Sequence, residues 1–137
     1  MRIFASTVGR NEAERWLGDM LTRCAGVFDG HFFYDDRSDD RTLELARGHG
    51  CTAVERPEPE PAFLEHEGRF RQAAWDAFET AMKPDPGDWV FSIDCDELLV
   101  FDGRESLRAQ CEAARGQSSL TVKIPECFGF DADGQPL

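Results

Sequence analysis

The stretch WVFSIDCDE occupies residues 89–97 and joins a mostly apolar run to an acidic cluster. The run from Trp89 to Ile93 predicts a buried β-strand. Asp94 and Asp96 follow one residue apart, so this strand would carry two carboxylates to one edge of a sheet. Hard divalent cations such as Mg²⁺ and Mn²⁺ accept one or two carboxylates together with substrate phosphates. The stretch therefore predicts a strand and a metal site; the alternative interpretation is a solvated acidic turn that caps the next segment.

Short apolar runs and helical patterns alternate on both sides of this stretch. Further strands are predicted at Ile3–Val8, His31–Tyr34, Thr52–Val54 and Leu120–Ile124. Four helical segments are predicted from apolar spacing: the stripe of Trp16, Leu17, Met20, Leu21 and Cys24; Ser38 through Thr42, Leu43 and Ala46 to Gly48 or Gly50; Phe70–Met82; and Glu105–Ala114. Asn11 and Ser38 are expected to cap the first two helices.

This alternation predicts an α/β fold for a single domain over residues 1–137. The expected architecture is Rossmann-like, with a mostly parallel sheet covered by helices on both faces. Ligands of such sheets bind at the carboxyl ends of the strands. Three polar clusters follow predicted strands, at Gly9–Asn11, Asp35–Asp36 and Asp94–Glu97. We expect these clusters to converge on one edge of the sheet and to form the ligand site.

Composition argues against several classes of function. The chain carries 27 acidic and 15 basic residues, a formal net charge of −12, whereas a nucleic-acid-binding surface needs an excess of basic side chains. No apolar run approaches the length of a transmembrane helix, and the N-terminal sequence lacks the pattern of a secretory signal. The five cysteines are widely spaced without a CxxC pair, which favours reduced thiols over disulfides or a zinc site. We expect a cytoplasmic protein with neither a nucleic-acid partner nor a transmembrane segment.

Two further groups of side chains admit both a functional and a structural interpretation. A carboxylate at Asp35 or Asp36 would accept hydrogen bonds from a nucleotide base or ribose, but the pair also suits an Asx-turn before the next helix. A guanidinium at Arg71 would bind a diphosphate, but the spacing by itself favours a surface ion pair with Glu65 or Glu67.

Four motifs in order resemble the family-2 glycosyltransferases. They are STVGRNE at 6–12, FYDDRSDDRT at 33–42, RFRQAAW at 69–75 and DWVFSIDCDEL at 88–98. The family pattern has a strand ending in an asparagine–glutamate turn, a second strand reading DDxSxDxT, a helix that begins with arginine, and an apolar strand ending in DxDE. The resemblance covers about residues 2–101. Two positions depart from the pattern, because Arg37 replaces the usual glycine and Gln72 the usual asparagine.

The resemblance implies a GT-A fold, a nucleotide-diphosphate sugar donor, most often a UDP-sugar, and a Mn²⁺ or Mg²⁺ cofactor. It implies roles for eight residues, taken over position by position: Thr7, Arg10 and Glu12 line the nucleotide pocket; Asp35 contacts the base with Asp36 beside it; Arg71 lies near the diphosphate; Asp94 lies near the ribose or a metal-bound water; and Asp96 ligates the metal, with Asp94 as its partner in the DxD motif. The implied reaction is displacement of the diphosphate by an acceptor hydroxyl.

The acceptor-binding half of such a domain is expected downstream, and the sequence contains little of it. No catalytic base is assigned, because Asp131 and Asp133 suit a turn better. The chain is therefore expected to be C-terminally incomplete as a GT-A domain, and a non-catalytic nucleotide-sugar-binding fragment or subunit is the first alternative. A haloacid-dehalogenase-like phosphatase is a weaker one, because its DxD motif opens the chain and is followed by Thr or Val where Leu98 stands.

Overall fold

The computed structural model describes residues 1–98, 103–117 and 119. Strands and helices alternate four times: β1 (Ile3–Gly9), α1 (Leu17–Cys24), β2 (Gly30–Asp35), α2 (Thr42–Gly48), β3 (Thr52–Glu55), α3 (Glu67–Met82), β4 (Trp89–Ser92) and α4 (Arg104–Ala113). The predicted α/β class is confirmed. The strand predicted at Leu120–Ile124 lies outside the described residues. No helix in the described part of the chain is long and apolar enough to span a membrane.

The four strands form one parallel sheet in the order β3-β2-β1-β4. The chain therefore builds outward from β1 to β3 on one side and then returns to place β4 on the other side of β1. Such a reversal leaves a crevice between the carboxyl ends of the two strands that flank it, and ligands of open α/β sheets bind there. In this protein the crevice lies between the ends of β1 and β4.

Helices cover both faces of the sheet, as the sequence predicts. On one face, Ile3, Ala5 and Phe33 pack with side chains of α1, α2 and α4. On the other face, Phe4, Phe32 and Tyr34 pack against one side of α3. The buried residues of α3 on this side are Phe70, Ala74 and Phe78. The alternation of core residues along β1 and β2 follows from the two-residue period of a strand. Because both faces of the sheet are buried under helices, the sequences of β1 and β2 are nearly continuous apolar runs.

Two predicted helix caps are wrong. The N-cap of α1 is Trp16 and that of α2 is Arg41, and neither side chain makes a capping hydrogen bond. Asn11 instead adopts a left-handed φ of 56°, and its side-chain oxygen accepts a hydrogen bond from the Asp39 backbone N–H at 2.8 Å. The Ser38 hydroxyl in turn accepts from the Asn11 backbone N–H at 2.9 Å. The two side chains therefore tie together the loops after β1 and β2, at the carboxyl edge of the sheet.

Candidate functional site

A cavity of 1040 Å³ opens at the carboxyl ends of β1 and β4, where the strand order reverses. Its lining brings together residues that are far apart in the chain: Gly9, Arg10 and Glu12 after β1, Asp36 after β2, Phe63 and Arg71 from the region of α3, and Asp94 to Asp96 after β4. Ligand pockets commonly reach about 300–1,000 Å³, so this one is large enough for a nucleotide sugar. The predicted convergence of the three polar clusters on one edge is observed.

The DxD segment is held in a tight loop directly after β4. The Asp94 backbone N–H donates to the Glu97 carboxylate at 2.9 Å, and the Glu97 N–H donates to the Asp94 carbonyl oxygen at 3.1 Å. Asp94 and Asp96 are exposed on the cavity side, whereas Cys95 between them is buried. Glu97 therefore closes the loop, and both aspartate side chains are presented to the cavity.

Cys95 anchors this loop to the end of β1. Its thiol donates to the Val8 carbonyl oxygen at 3.3 Å. Burial raises the pKa of the Cys95 thiol to about 12, and the carboxylates of Glu12, Asp94 and Asp96 act in the same direction. The thiol is therefore protonated at neutral pH and is not a nucleophile. The four described cysteines are all buried and unpaired with one another.

The donor set at this edge fits a hard divalent cation. Asp94 and Asp96 supply oxygen ligands on an accessible loop, and Mg²⁺ usually binds through one or two carboxylates with water and phosphate filling the other positions. Within residues 1–98, 103–117 and 119, no group of three or more His, Cys, Asp and Glu side chains is arranged to hold a metal ion.

The β1 loop brings one cationic and one anionic side chain to the cavity. Arg10 is exposed and its guanidinium lies 3.6 Å from the Asp39 carboxylate. Glu12 is more enclosed, with 18% of its side chain exposed, and its backbone N–H donates to the Thr42 hydroxyl at 2.7 Å. The start of α2 thus fixes the position of Glu12, while Arg10 is held by a longer contact with Asp39.

Thr7 and Asp35, both predicted to contact the nucleotide, are not among the residues that line the cavity. Thr7 is fully buried and its hydroxyl lies 2.9 Å from the ring nitrogen Nε2 of His31. Asp35 is also fully buried, and its carboxylate accepts hydrogen bonds from the backbone N–H and the hydroxyl of Ser38 at 2.8 and 2.6 Å. Asp35 therefore has the turn-forming role that was the structural interpretation of this pair.

Asp36 lines the cavity but is engaged in a buried ion pair. One carboxylate oxygen accepts from the Arg56 guanidinium at 2.6 Å, and the other accepts from the Phe63 backbone N–H at 3.1 Å. The two side chains are 5% and 10% exposed, respectively. Arg56 also donates to the carbonyl oxygen of Glu60. Asp36 thus fixes the loop between β3 and α3, which carries Phe63 to the cavity wall.

Arg71 makes one of the two surface ion pairs considered from the sequence and also lines the cavity. Its guanidinium binds the Glu67 carboxylate at 2.8 Å, one helical turn away, and lies 5.2 Å from the centre of the Phe63 ring. It is also exposed and lines the cavity. The surface ion pair is therefore present, and it holds the guanidinium at the wall of the cavity.

Arg37, which stands where the resemblance leads to glycine, has a left-handed φ of 57°. That conformation costs an L-residue about 1–2 kcal/mol and explains why glycine suits the position. The Arg37 side chain reaches Glu58 in the neighbouring loop, at 2.5 Å. Its bulk is therefore directed to an ion pair with that loop.

Several cavity residues were not identified from the sequence, and they include three large apolar side chains, Trp16, Phe63 and Leu64. Trp16 belongs to the apolar stripe of α1 and was expected in the core, yet it is 49% exposed. Phe63 and Leu64 follow the proline-rich segment at residues 56–61, for which no periodic pattern predicts a direction.

Comparisons with protein-family models, with curated proteins and with solved structures find no match to this chain.

Proposed function

We propose that this chain binds a nucleotide-diphosphate sugar together with Mg²⁺ or Mn²⁺, as the donor-binding part of a glycosyltransferase with a GT-A-like fold. The observation that carries the proposal is the cavity at the reversal of strand order. Asp94 and Asp96 line it together with Arg10 and Arg71, at the carboxyl edge of a parallel sheet. The four sequence motifs that resemble family-2 glycosyltransferases supply the residues of this same edge.

Charge at the cavity supports a metal-dependent ligand. The lining contains six carboxylates and three guanidinium groups. A free diphosphate would be repelled by this excess of negative charge, whereas a diphosphate that carries a divalent cation would not. When bound, such a cation neutralises the diphosphate and makes it a better leaving group.

Each residue then has a defined task. Asp94 and Asp96 hold the cation, and Arg71, oriented by Glu67 and Phe63, binds a phosphate oxygen. Arg10 provides a second guanidinium for the nucleotide. In the transfer step, the oxygen of an acceptor hydroxyl attacks the anomeric carbon as its bond to the diphosphate breaks, and a base takes the hydroxyl proton. None of the described residues is assigned as that base.

Thermal unfolding with UDP, GDP and dTDP, each with Mn²⁺ or with EDTA, tests the binding proposal. A ligand at 100 times its dissociation constant stabilises the fold by roughly 2.7 kcal/mol, a shift of several degrees in Tm. We expect one nucleotide, with UDP favoured, to raise the Tm with Mn²⁺ and not with EDTA. Asp96→Asn should abolish the shift, while Asp76→Asn, an exposed aspartate on α3, should preserve it.

The proposal fails if no nucleotide raises the Tm under any of these conditions, and its metal component fails if EDTA leaves the shift intact. Turnover separates transfer from binding alone: release of UDP from a UDP-sugar that depends on an acceptor supports a transferase. Nucleotide binding without turnover supports the non-catalytic alternative. Mg²⁺-dependent hydrolysis of p-nitrophenyl phosphate would favour the phosphatase.

A further inference from the structure

The loop after β4 is closed by Glu97, a side chain that does not line the cavity. Asp94 and Asp96 are exposed and line it, whereas Glu97 is half-buried and is not among the lining residues. Two hydrogen bonds join the ends of this loop. The Asp94 N–H donates to a Glu97 carboxylate oxygen at 2.9 Å, and the Glu97 N–H donates to the Asp94 carbonyl oxygen at 3.1 Å. The Glu97 side chain therefore fixes the backbone that carries both aspartates.

The residues on either side of Asp94 are fixed to β1. The Ile93 N–H donates to a backbone carbonyl oxygen of β1 at 3.0 Å, and the Cys95 thiol donates to the Val8 carbonyl oxygen at 3.3 Å. The Asp94 N–H lies between these two anchors and donates to Glu97 instead. Glu97 thus adds an attachment at the first aspartate of the pair, where the strand ends and the loop begins.

This attachment bears on metal binding in two ways. A loop that is already ordered binds a cation more tightly than one that must become ordered on binding, because its backbone entropy is lost before the cation arrives. The same bond also engages an oxygen of the Glu97 carboxylate with the backbone, so that Asp94 and Asp96 are the carboxylates of this loop that face the cavity. Mg²⁺ usually binds through one or two carboxylates and keeps its other positions for water and phosphate.

We propose that Glu97 is a positioning residue for the divalent cation, which acts through the Asp94 N–H on the placement of Asp94 and Asp96 and stays outside the coordination shell. The inference rests on the proposed function, in which these two aspartates hold the cation. A carboxylate at this position could otherwise be a third ligand or only a nearby negative charge, and variants of Glu97 distinguish the three roles.

Mn²⁺ binding to two variants of equal charge tests the positioning role. Glu97→Gln keeps an oxygen acceptor for the Asp94 N–H, whereas Glu97→Ala removes it, and both remove one negative charge. We expect Glu97→Ala to raise the dissociation constant about tenfold above that of Glu97→Gln, as is typical when a group that orients a metal ligand is lost. Glu97→Gln should remain within about threefold of the unaltered protein, because it loses only a charge that water screens. Dissociation constants come from the EPR signal of free Mn²⁺, and from calorimetry with the Mn²⁺ complexes of UDP, GDP and dTDP.

The chain offers a matched control in the turn before α3. There the Ala62 N–H donates to the Glu65 carboxylate at 3.0 Å, and the Glu65 N–H donates to the Ala62 carbonyl oxygen at 3.1 Å. Glu65→Ala removes the same kind of bond and the same charge away from the two aspartates, so it should leave Mn²⁺ binding unchanged. Asp96→Asn should abolish the binding that is measured, which identifies the titrated site.

The positioning role is overturned if Glu97→Ala binds as tightly as Glu97→Gln, because the hydrogen bond then contributes nothing to metal binding. It is also overturned if Glu97→Gln loses as much affinity as Glu97→Ala, since Glu97 is then a ligand or a required charge. Either result leaves the proposed function standing, because the unaltered protein still binds the metal. If the unaltered protein binds neither Mn²⁺ nor any of the three complexes, the proposed function fails and the role of Glu97 fails with it.

Discussion

The ion pair between Asp36 and Arg56 gives the sharpest prediction about how the cavity is held open. The two side chains are 5% and 10% exposed, and they meet at 2.6 Å. Removing one partner of a buried pair leaves an uncompensated charge and costs about 3–5 kcal/mol. Asp36→Asn should reach this range because both carboxylate oxygens accept hydrogen bonds, whereas the amide NH₂ group of asparagine accepts none. That NH₂ group would face either the Arg56 guanidinium or the Phe63 N–H, which now donates to a carboxylate oxygen at 3.1 Å. Arg56→Gln should cost a similar amount, since it leaves the Asp36 carboxylate without its cation.

A double-mutant cycle isolates the interaction between the two groups. We expect the Asp36→Asn/Arg56→Gln variant to be more stable than the sum of the single effects predicts, by about 1–3 kcal/mol. Urea unfolding followed by circular dichroism, with linear extrapolation to water, provides the free energies. Arg41→Gln with Glu44→Gln is the matched control, because this pair is fully exposed and should couple little.

The reasoning is refuted if both single variants lose less than about 1 kcal/mol and their effects add within about 0.5 kcal/mol. Asp36 would then be a solvated carboxylate, and another interaction would have to hold the loop that carries Phe63. Should Asp36→Asn not fold, Arg56→Lys offers a milder change that keeps the charge and loses the fixed guanidinium geometry. It should still destabilise the protein measurably if the pair is buried as described.

Three other changes probe single features of the fold. Burial lowers the pKa of His31 to about 4 from 6.5. Above pH 6.5 the imidazole is neutral in both states and does not make the free energy of unfolding depend on pH. Between pH 6.5 and 4 the unfolded chain takes up a proton at His31 that the folded chain does not. Unfolding free energy should therefore fall by roughly 3 kcal/mol over that range relative to His31→Gln, measured by urea unfolding at each pH; equal slopes would contradict it. Lys83→Gly should stabilise the protein by about 0.5–1 kcal/mol, because Lys83 ends α3 at a left-handed φ of 48°, and an unchanged or lower Tm would count against this. Gly9→Ala should cost about 1–3 kcal/mol, because the new Cβ would lie 2.6 Å from the Cys95 sulfur, and adding Cys95→Ala should recover part of the loss; strictly additive costs would show that the sulfur is not the obstacle.

Much of the fold follows from local patterns that the sequence displays openly. The apolar spacing between Phe70 and Met82 predicts a helix, and α3 runs from Glu67 to Met82. The strand at residues 89–93 appears as β4, one residue shorter. These predictions succeed because the periods of strands and helices decide which side chains share a face, and an α/β core needs such faces on successive elements.

The errors of prediction occur where local pattern and distant packing compete. Asn11 and Ser38 have the chemistry of helix caps, yet each is used to join the loops after β1 and β2. Trp16 fits the apolar stripe of α1, but it stands at the N-cap, where the chain is still entering the helix. The local sequence shows which hydrogen bonds a side chain is able to make. The partner that the folded chain places beside it decides which of them it makes.

The sequence by itself determined the order of strands and helices, the acidic loop after β4 and the edge at which polar groups gather, because these depend on neighbours within a few residues. Only the tertiary structure decided which of those groups face the cavity. Asp35 and Asp36 are adjacent and chemically identical, but the carboxylate of Asp35 accepts a hydrogen bond from the backbone N–H of Ser38, three residues away. The carboxylate of Asp36 accepts a hydrogen bond from Arg56, which is twenty residues away and follows β3 in the chain. A side chain's freedom to bind a ligand depends on which distant groups already satisfy its hydrogen bonds, and that becomes defined only when the chain has folded.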